Sequence, residues 1–225
     1  AVVALAAPAA ASARGETAIF FYPWYGTPAH DGAYLHWAQG GHLPPADIAS
    51  AFYPLRGLYS SGDPAVLRSQ MADIAGAGID EVVSSWWGWG STEDRRLPAV
   101  ARAAKADGLR TTVQLEPYAG RTAATVVSDV DHLAAIGVRR IYVYHPREID
   151  DATWQALNQR LAAGAGGVQL FAETSDPRWA ARAGFAGIYT YDIVTFGPSF
   201  FRHYCAAART LHLLCAPSVG PGYDS

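Results

Sequence analysis

The feature that most constrains this chain is a unit repeated along it: an amphipathic segment that closes on glycine, then a short β-branched or aromatic run. Leu67, Met71 and Ile74 lie at helical spacing before Gly76 and Gly78, and IDEVVSSW follows over 79–86. Val100 and Ala104 precede Gly108 and then LRTTVQLE over 109–116. Val126, Val130 and Leu133 precede Gly137 and VRRIYVY over 138–144. Trp154, Leu157 and Leu161 lead to Gly164 and GVQLFAE over 167–173. A short helix over 179–183 reaches Gly184 and GIYTYD over 187–192, and a helix over 200–211 runs into LLCAPSV at 213–219. Glycine after a helix takes the left-handed conformation that closes the last turn. Strands alternating with helices predict parallel pairing through helical crossovers. The strands read apolar nearly throughout, as expected where both faces are buried. With AIFFY at 18–22 there are seven strands. Seven parallel strands do not close comfortably, whereas eight make a (β/α)8 barrel of about 250 residues. The expected fold is therefore an α/β TIM-type barrel with seven strands visible and the eighth missing. A doubly wound open sheet is the alternative. It is disfavoured because Tyr22-Pro23-Trp24-Tyr25-Gly26 stands where a glycine-rich phosphate turn would be needed.

Composition narrows the class. Half of the 225 residues are hydrophobic and the formal net charge is −3, an ordinary globular balance. No Lys/Arg cluster offers a nucleic-acid face. Residues 1–13 (AVVALAAPAAASA) read as a partial signal peptide or a disordered leader, too short to span a bilayer. The expected location is secreted or periplasmic/extracellular, with no membrane span, and residues 14–225 form one incomplete barrel domain acting as a monomer. Cys205 and Cys215 are too few for a disulfide framework and fit no zinc spacing. They are expected as two small reduced core residues, with a single disulfide as the alternative.

In a barrel the chemistry sits at the C-terminal ends of the strands. Those ends carry, in order, Tyr22, Trp24 and Tyr25; Ser85, Trp86, Trp87 and Trp89; Glu116, Tyr118 and Arg121; Tyr144 and His145; Glu173; Tyr191 and Asp192; Ser218, Gly220, Gly222 and Tyr223. Every strand runs from apolar to aromatic, carboxylate or hydroxyl at the same end, which predicts one polar, aromatic-walled cleft. Sugars suit it: Trp and Tyr meet their C–H faces, and carboxylates and Arg meet their hydroxyls. Glu116 and Glu173 are the in-chain carboxylate candidates, since buried Glu is rare unless paired. Arg121 is a possible structural partner for Glu116, and Asp192 is equally read as a cap of the following turn. His36 and His145 are candidates for substrate contact or surface imidazoles. No nucleophile elbow or HExxH motif is present, and neither a metal nor a cofactor is expected.

At these residues the sequence resembles glycoside hydrolase family 99, the endo-acting α-1,2-mannosidases and mannanases. The resemblance rests on residues 21–28 (FYPWYGTP) with Asp31-Gly32 and His36-Trp37; on Ser85-Trp86-Trp87-Gly88; on Leu115-Glu116-Pro117-Tyr118 with Arg121; on Gly184-Phe185 with residues 187–191 (GIYTY); and on residues 217–223 (PSVGPGY). It implies a retaining endo-glycosidase acting on α-mannan or another mannose-containing glycan. One carboxylate would assist the substrate's own 2-hydroxyl in attacking the anomeric carbon, and a second would protonate the leaving oxygen. It also implies that Tyr191 lies at the reacting sugar, and that Tyr22 or Tyr25, the Trp86 region and Glu116 line the cleft.

The family's two glutamates stand in an Asn-Glu-Trp-His-Glu-like segment after the seventh-strand motif, and no such segment occurs in these 225 residues. The pair is therefore expected beyond Ser225, with the chain as given inactive and poorly soluble by itself. The full set of expected substrate-binding residues is Tyr22, Trp24, Tyr25, His36, Trp86, Trp87, Glu116, Tyr118, Arg121, Tyr144, Tyr191 and Tyr223. Two alternatives stay open: a complete two-carboxylate glycosidase using Glu116 and Glu173, and a non-catalytic glycan-binding barrel.

Overall fold

The structure, a computed structural model, describes residues 15–164 and 166–220. The expected leader and Tyr223 lie outside the described residues. Seven strands alternate with helices: β1 Ala18–Phe21, β2 Glu81–Trp86, β3 Arg110–Leu115, β4 Arg140–Val143, β5 Gln169–Glu173, β6 Gly187–Tyr189 and β7 Leu214–Ala216. The helices are α1 Pro28–Asp31, α2 Pro64–Gly76, α3 Thr92–Ala106, α4 Ala123–Ala135, α5 Asp151–Ala163, α6 Pro177–Arg182 and α7 Pro198–Thr210. All pairings are parallel and follow chain order from β1 to β7. Among the described residues β1 pairs with β2 alone and β7 with β6 alone, so the sheet is the seven-stranded arc that the strand count predicts.

The helix ends follow from local chemistry. Asp63, Ser91, Asp150 and Asp176 each accept a backbone N–H in the first turn of the helix they precede. Gly78, Gly108, Gly137 and Gly184 are left-handed after α2, α3, α4 and α6. Gly164 departs from that expectation: it has φ −80° and caps α5 in an extended conformation.

The arc is strongly rolled. Phe20 of β1 lies 6.5 Å from Tyr142 of β4 and 6.2 Å from Tyr189 of β6, ring centre to ring centre, although those strands are not neighbours. Side chains alternate across each strand, which sorts the core into two shells. The inner shell holds Val83, Tyr142, Phe171 and Tyr189 with Phe20 and Tyr191 against them. It is so full that a Cβ on Gly187 would fall 2.4 Å from the Phe171 ring. The outer shell packs Trp86, Leu115, Val143 and Ile188 against helix residues such as Val130, Trp154 and Trp179. This corrects one expectation. Trp86 is fully buried in the outer shell, with its indole N–H on Asp94 at 2.9 Å, and has no face for a ligand. It sits one residue out of step with the inward positions Val83 and Ser85.

The N-terminal end of the arc is closed by charge. Glu81, 1% exposed, accepts from Thr112 at 3.1 Å, Tyr142 at 3.1 Å and Arg140 at 2.9 Å, with Arg110 at 3.6 Å. A carboxylate this deep is tolerated because it is paired and hydrogen-bonded. At the last unit Cys205 and Cys215 form a disulfide, which corrects the expectation of two reduced core cysteines. The chain reverses after α7 through a left-handed His212, so two half-buried cysteines ten residues apart meet where α7 crosses β7.

Candidate functional site

The inward parity of each strand, carried two residues past the inner shell, gives Tyr22, Ser85, Glu116, Tyr144, Glu173 and Tyr191. Contacts show that the structure brings most of this set together at one mouth. The Tyr22 and Tyr191 hydroxyls are 2.5 Å apart. The Tyr191 ring lies 4.8 Å from that of Tyr144 and 5.3 Å from Phe20. The Ser85 hydroxyl donates to Glu116 Oε1 at 2.8 Å, and the Gln114 amide donates to the same oxygen at 3.0 Å. Behind them the Trp87 indole N–H reaches Ser85 Oγ at 3.0 Å, and the Tyr189 hydroxyl reaches Gln114 Oε1 at 3.4 Å.

Glu116 is 5% exposed, and both of these donors are uncharged. Burial pushes its carboxyl above the ordinary value; the Ser85 and Gln114 bonds and the nearby positive charge of Arg121 and His145 offset this only in part. Burial also raises Glu173, against a counter-pull from His145. Burial raises the Tyr22 hydroxyl, as do its bond to Tyr191 and the charge of Glu116. Tyr144 is raised by burial and then by the charge of Glu173. A sugar entering here would meet a hydroxyl pair and two carboxyls in a site where ionisation is resisted.

One wall of the mouth is a stack. Trp24 lies between Tyr22 and His36, with 4.7 Å to each ring centre. Tyr25 instead stacks on buried Trp37 at 4.0 Å and supports that wall from behind. Trp87 is 37% exposed, the outward neighbour of Ser85. Trp89 stacks on His132 at 4.4 Å, and His132 in turn meets Asp94 at 2.9 Å. On the β4 side His145 stacks on Tyr144 at 4.1 Å.

Several expected ligands have other partners. The Tyr118 hydroxyl donates to Asp129, and its ring underlies Gly88, where a Cβ would sit 3.2 Å away. It props the Trp87–Trp89 turn, a correction to its expected place on the substrate. Arg121 is likewise corrected: its side chain is 2% exposed and its two terminal nitrogens donate to Tyr144 O, His145 O and Glu148, each at 2.7 Å, while its buried Nε–H has no partner among the described residues. The partners that Arg121 was expected to supply to Glu116 are Ser85 and Gln114. Asp192 accepts from the Val194 and Thr195 backbone N–H groups, the capping alternative. Gln114 and Arg96 escaped the sequence reading. Gln114 shares the face of Glu116 two residues on, and that spacing was the available signal. Arg96 lies among the charged residues that open α3, and no spacing in the sequence directs it to the loop after β1.

Fold and cleft together define a seven-stranded (β/α)-barrel arc with an aromatic, carboxylate-bearing mouth at the C-terminal ends of its strands, where the chemistry of such barrels sits. Comparison with known proteins gives the family: the model for glycosyl hydrolase family 99 matches residues 14–225, and the chain belongs to that family. A glycoprotein endo-alpha-1,2-mannosidase-like protein of Danio rerio is 31% identical over 91% of this chain and 58% of its own length. A glycoprotein endo-alpha-1,2-mannosidase of Mus musculus is 28% identical over 91% of this chain and 55% of its own. The chain thus spans a little over half the length of these relatives. The GH99 endo-alpha-mannosidase from Bacteroides thetaiotaomicron superposes with a TM-score of 0.79 at 25% identity, over 93% of this chain and 72% of that structure.

Proposed function

We propose that the protein carrying this chain is an endo-acting glycoside hydrolase that cleaves α-mannosidic linkages within a mannose-containing glycan, such as α-1,2-branched mannan. The observation that carries the reading is the inward ring of Glu116, Tyr144, Tyr191 and Tyr22, with Glu116 held by neutral donors alone. A carboxylate so held has acceptor capacity for sugar hydroxyls, and the stack of Tyr22, Trp24 and His36 offers a flat apolar face. Family membership and the endo-mannosidase names of the relatives support the choice of sugar.

In the reaction this family resemblance implies, one carboxylate takes the proton of the substrate's 2-hydroxyl as that oxygen attacks the anomeric carbon. An acid protonates the departing oxygen; water then opens the resulting 1,2-anhydro sugar at the anomeric carbon, its proton returning to the 2-oxygen, and the two inversions retain the configuration. The 225 residues contain no Asn-Glu-Trp-His-Glu-like segment. We therefore assign Glu116, Tyr22 and Tyr191 to holding the reacting sugar. The Cys205–Cys215 bridge supports a secreted or periplasmic location, where disulfides persist.

The second reading, a Glu116–Glu173 acid/base pair, rests on both carboxyls lying near Tyr144 at the same mouth. The test is to incubate the full-length protein with α-1,2-branched mannan and size the products. Internal cleavage into oligosaccharides is expected; absence of turnover, or release of terminal mannose alone, overturns the proposal. Under it Glu116→Gln and Glu173→Gln raise KM. A fall in kcat of several orders of magnitude in each single variant, with oligosaccharide Kd unchanged, would favour the pair.

A further inference from the structure

Two buried arginines on different elements make the same set of bonds. Arg96, on α3 and 8% exposed, donates through Nη1 to Pro23 O at 2.6 Å and Tyr25 O at 3.1 Å, and through Nη2 to Asp31 at 2.6 Å. Asp31 returns to the same loop by accepting the Thr27 N–H at 2.9 Å. Arg121, in the turn after β3, donates to Tyr144 O, His145 O and Glu148. In each case one guanidinium holds two main-chain carbonyls just past a strand's end, and a carboxylate further along the same loop.

The arrangement answers a defined problem. A strand leaving a parallel sheet gives up its ladder, and its carbonyls then need donors. A planar guanidinium supplies several donors in a fixed fork, which an ammonium cannot. Both clamped exits carry cleft residues: Tyr22 and Trp24 after β1, Tyr144 after β4. His145, at the second exit, is left-handed at φ 48°, a conformation that persists in a non-glycine residue only when its surroundings hold it.

We infer that Arg96 and Arg121 are paired positioning residues that fix the exits of β1 and β4, and so set where the Tyr22–Trp24 wall and Tyr144 stand on either side of Tyr191 at the mouth. Neither touches substrate; each acts through the carbonyls it holds. The part of this inference that concerns sugar affinity rests on the proposed function, and the part that concerns loop order does not.

The experiment uses the full-length protein and four variants: Arg96→Lys, Asp31→Asn, Arg121→Lys and Glu148→Gln. Lysine keeps the charge without the fork, and the carboxylate variants loosen the same loops with the arginines in place, should an arginine variant fail to fold. Without ligand, hydrogen exchange is expected to accelerate about tenfold at residues 24–31 in the first two and at 144–149 in the last two, each pair leaving the other loop unchanged. With α-1,2-linked mannotetraose, Kd is expected to weaken about tenfold, and KM on mannan to rise more than kcat falls. Unchanged exchange in the clamped loops, or an equal rise throughout the protein, overturns the inference. A local rise with unaltered Kd overturns the positioning role. If the unmodified protein fails to bind the oligosaccharide, the functional reading falls, and the exchange pattern still decides whether the clamps exist.

Discussion

The hydroxyls of Tyr22 and Tyr191 lie 2.5 Å apart, although 169 residues separate them along the chain. Tyr22 follows β1 and Tyr191 follows β6, so this one bond ties the first exit of the arc to its far side. Part-buried phenols this close donate and accept in turn, and the bond is expected to contribute about 1 kcal/mol. Tyr22→Phe, Tyr191→Phe and the double variant, compared by urea unfolding, should give a coupling of that size. Strict additivity would show that the two hydroxyls stand independently.

Glu116 makes stability depend on pH in a set direction. Its folded-state pKa is raised, burial being the largest cause, so the folded protein binds its proton more tightly than the unfolded chain. The associated stabilisation is fully present below the ordinary glutamate value of 4.5 and is lost as pH rises through the raised folded value. Glu116→Gln keeps an acceptor for Ser85 and Gln114 and removes the ionisation. Its Tm should exceed that of the unmodified protein at pH 7, and the two should converge at pH 4; an equal offset at both values would mean that burial of this charge is not what is being measured.

Adjacent tryptophans should behave as opposites. Trp86 is fully buried between sheet and helices, and Trp86→Ala should cost about 3–5 kcal/mol in chemical unfolding. Trp87 is 37% exposed beside Ser85. Trp87→Ala should leave stability within about 1 kcal/mol while weakening mannan binding about tenfold, the worth of one aromatic contact. Titration of both variants with mannan, alongside their unfolding curves, separates the roles.

The Cys205–Cys215 bridge closes a loop with a sequence separation of 10. On the chain-entropy account it should contribute about 2–3 kcal/mol. Cys205→Ser with Cys215→Ser, followed by denaturant midpoint, checks this, and reductant should bring the unmodified protein to the same midpoint.

Element types and order were legible because glycine punctuates every helix–strand unit but the last, where His212 takes its place, and the apolar periods are clear on both sides. Which strand face points inward was not. In β2, Val82, Val83 and Trp86 are all apolar and Ser84 and Ser85 are both polar, because both faces are buried and each tolerates either kind. Trp86 was accordingly placed in the cleft although its parity sends it to the helices. The carboxylate and tyrosine ends were legible, since burying Glu116 or Tyr191 at a barrel rim has little packing rationale. The roles of Arg96 and Arg121 were hidden, because their partners are main-chain carbonyls 73 and 23 residues away, which no side-chain pattern encodes.

The Glu81 cluster gives the molecule a response to ionic strength that differs from end to end. Its cations are partly open to water, Arg110 at 51% and Arg140 at 22%, and Glu16 bridges them from the surface at 3.2 and 3.0 Å. The screening length of about 10 Å at 0.1 M exceeds these contacts, so salt only weakens the exposed Glu16 bridges and leaves the buried Glu81 pairs largely intact. At the opposite mouth the donors to Glu116 are a hydroxyl and an amide, which salt does not screen. Added electrolyte will therefore loosen the Glu16 straps across the floor while leaving the carboxyls of Glu81 and Glu116 in place, so thermal midpoint and mouth geometry will part company along a salt titration.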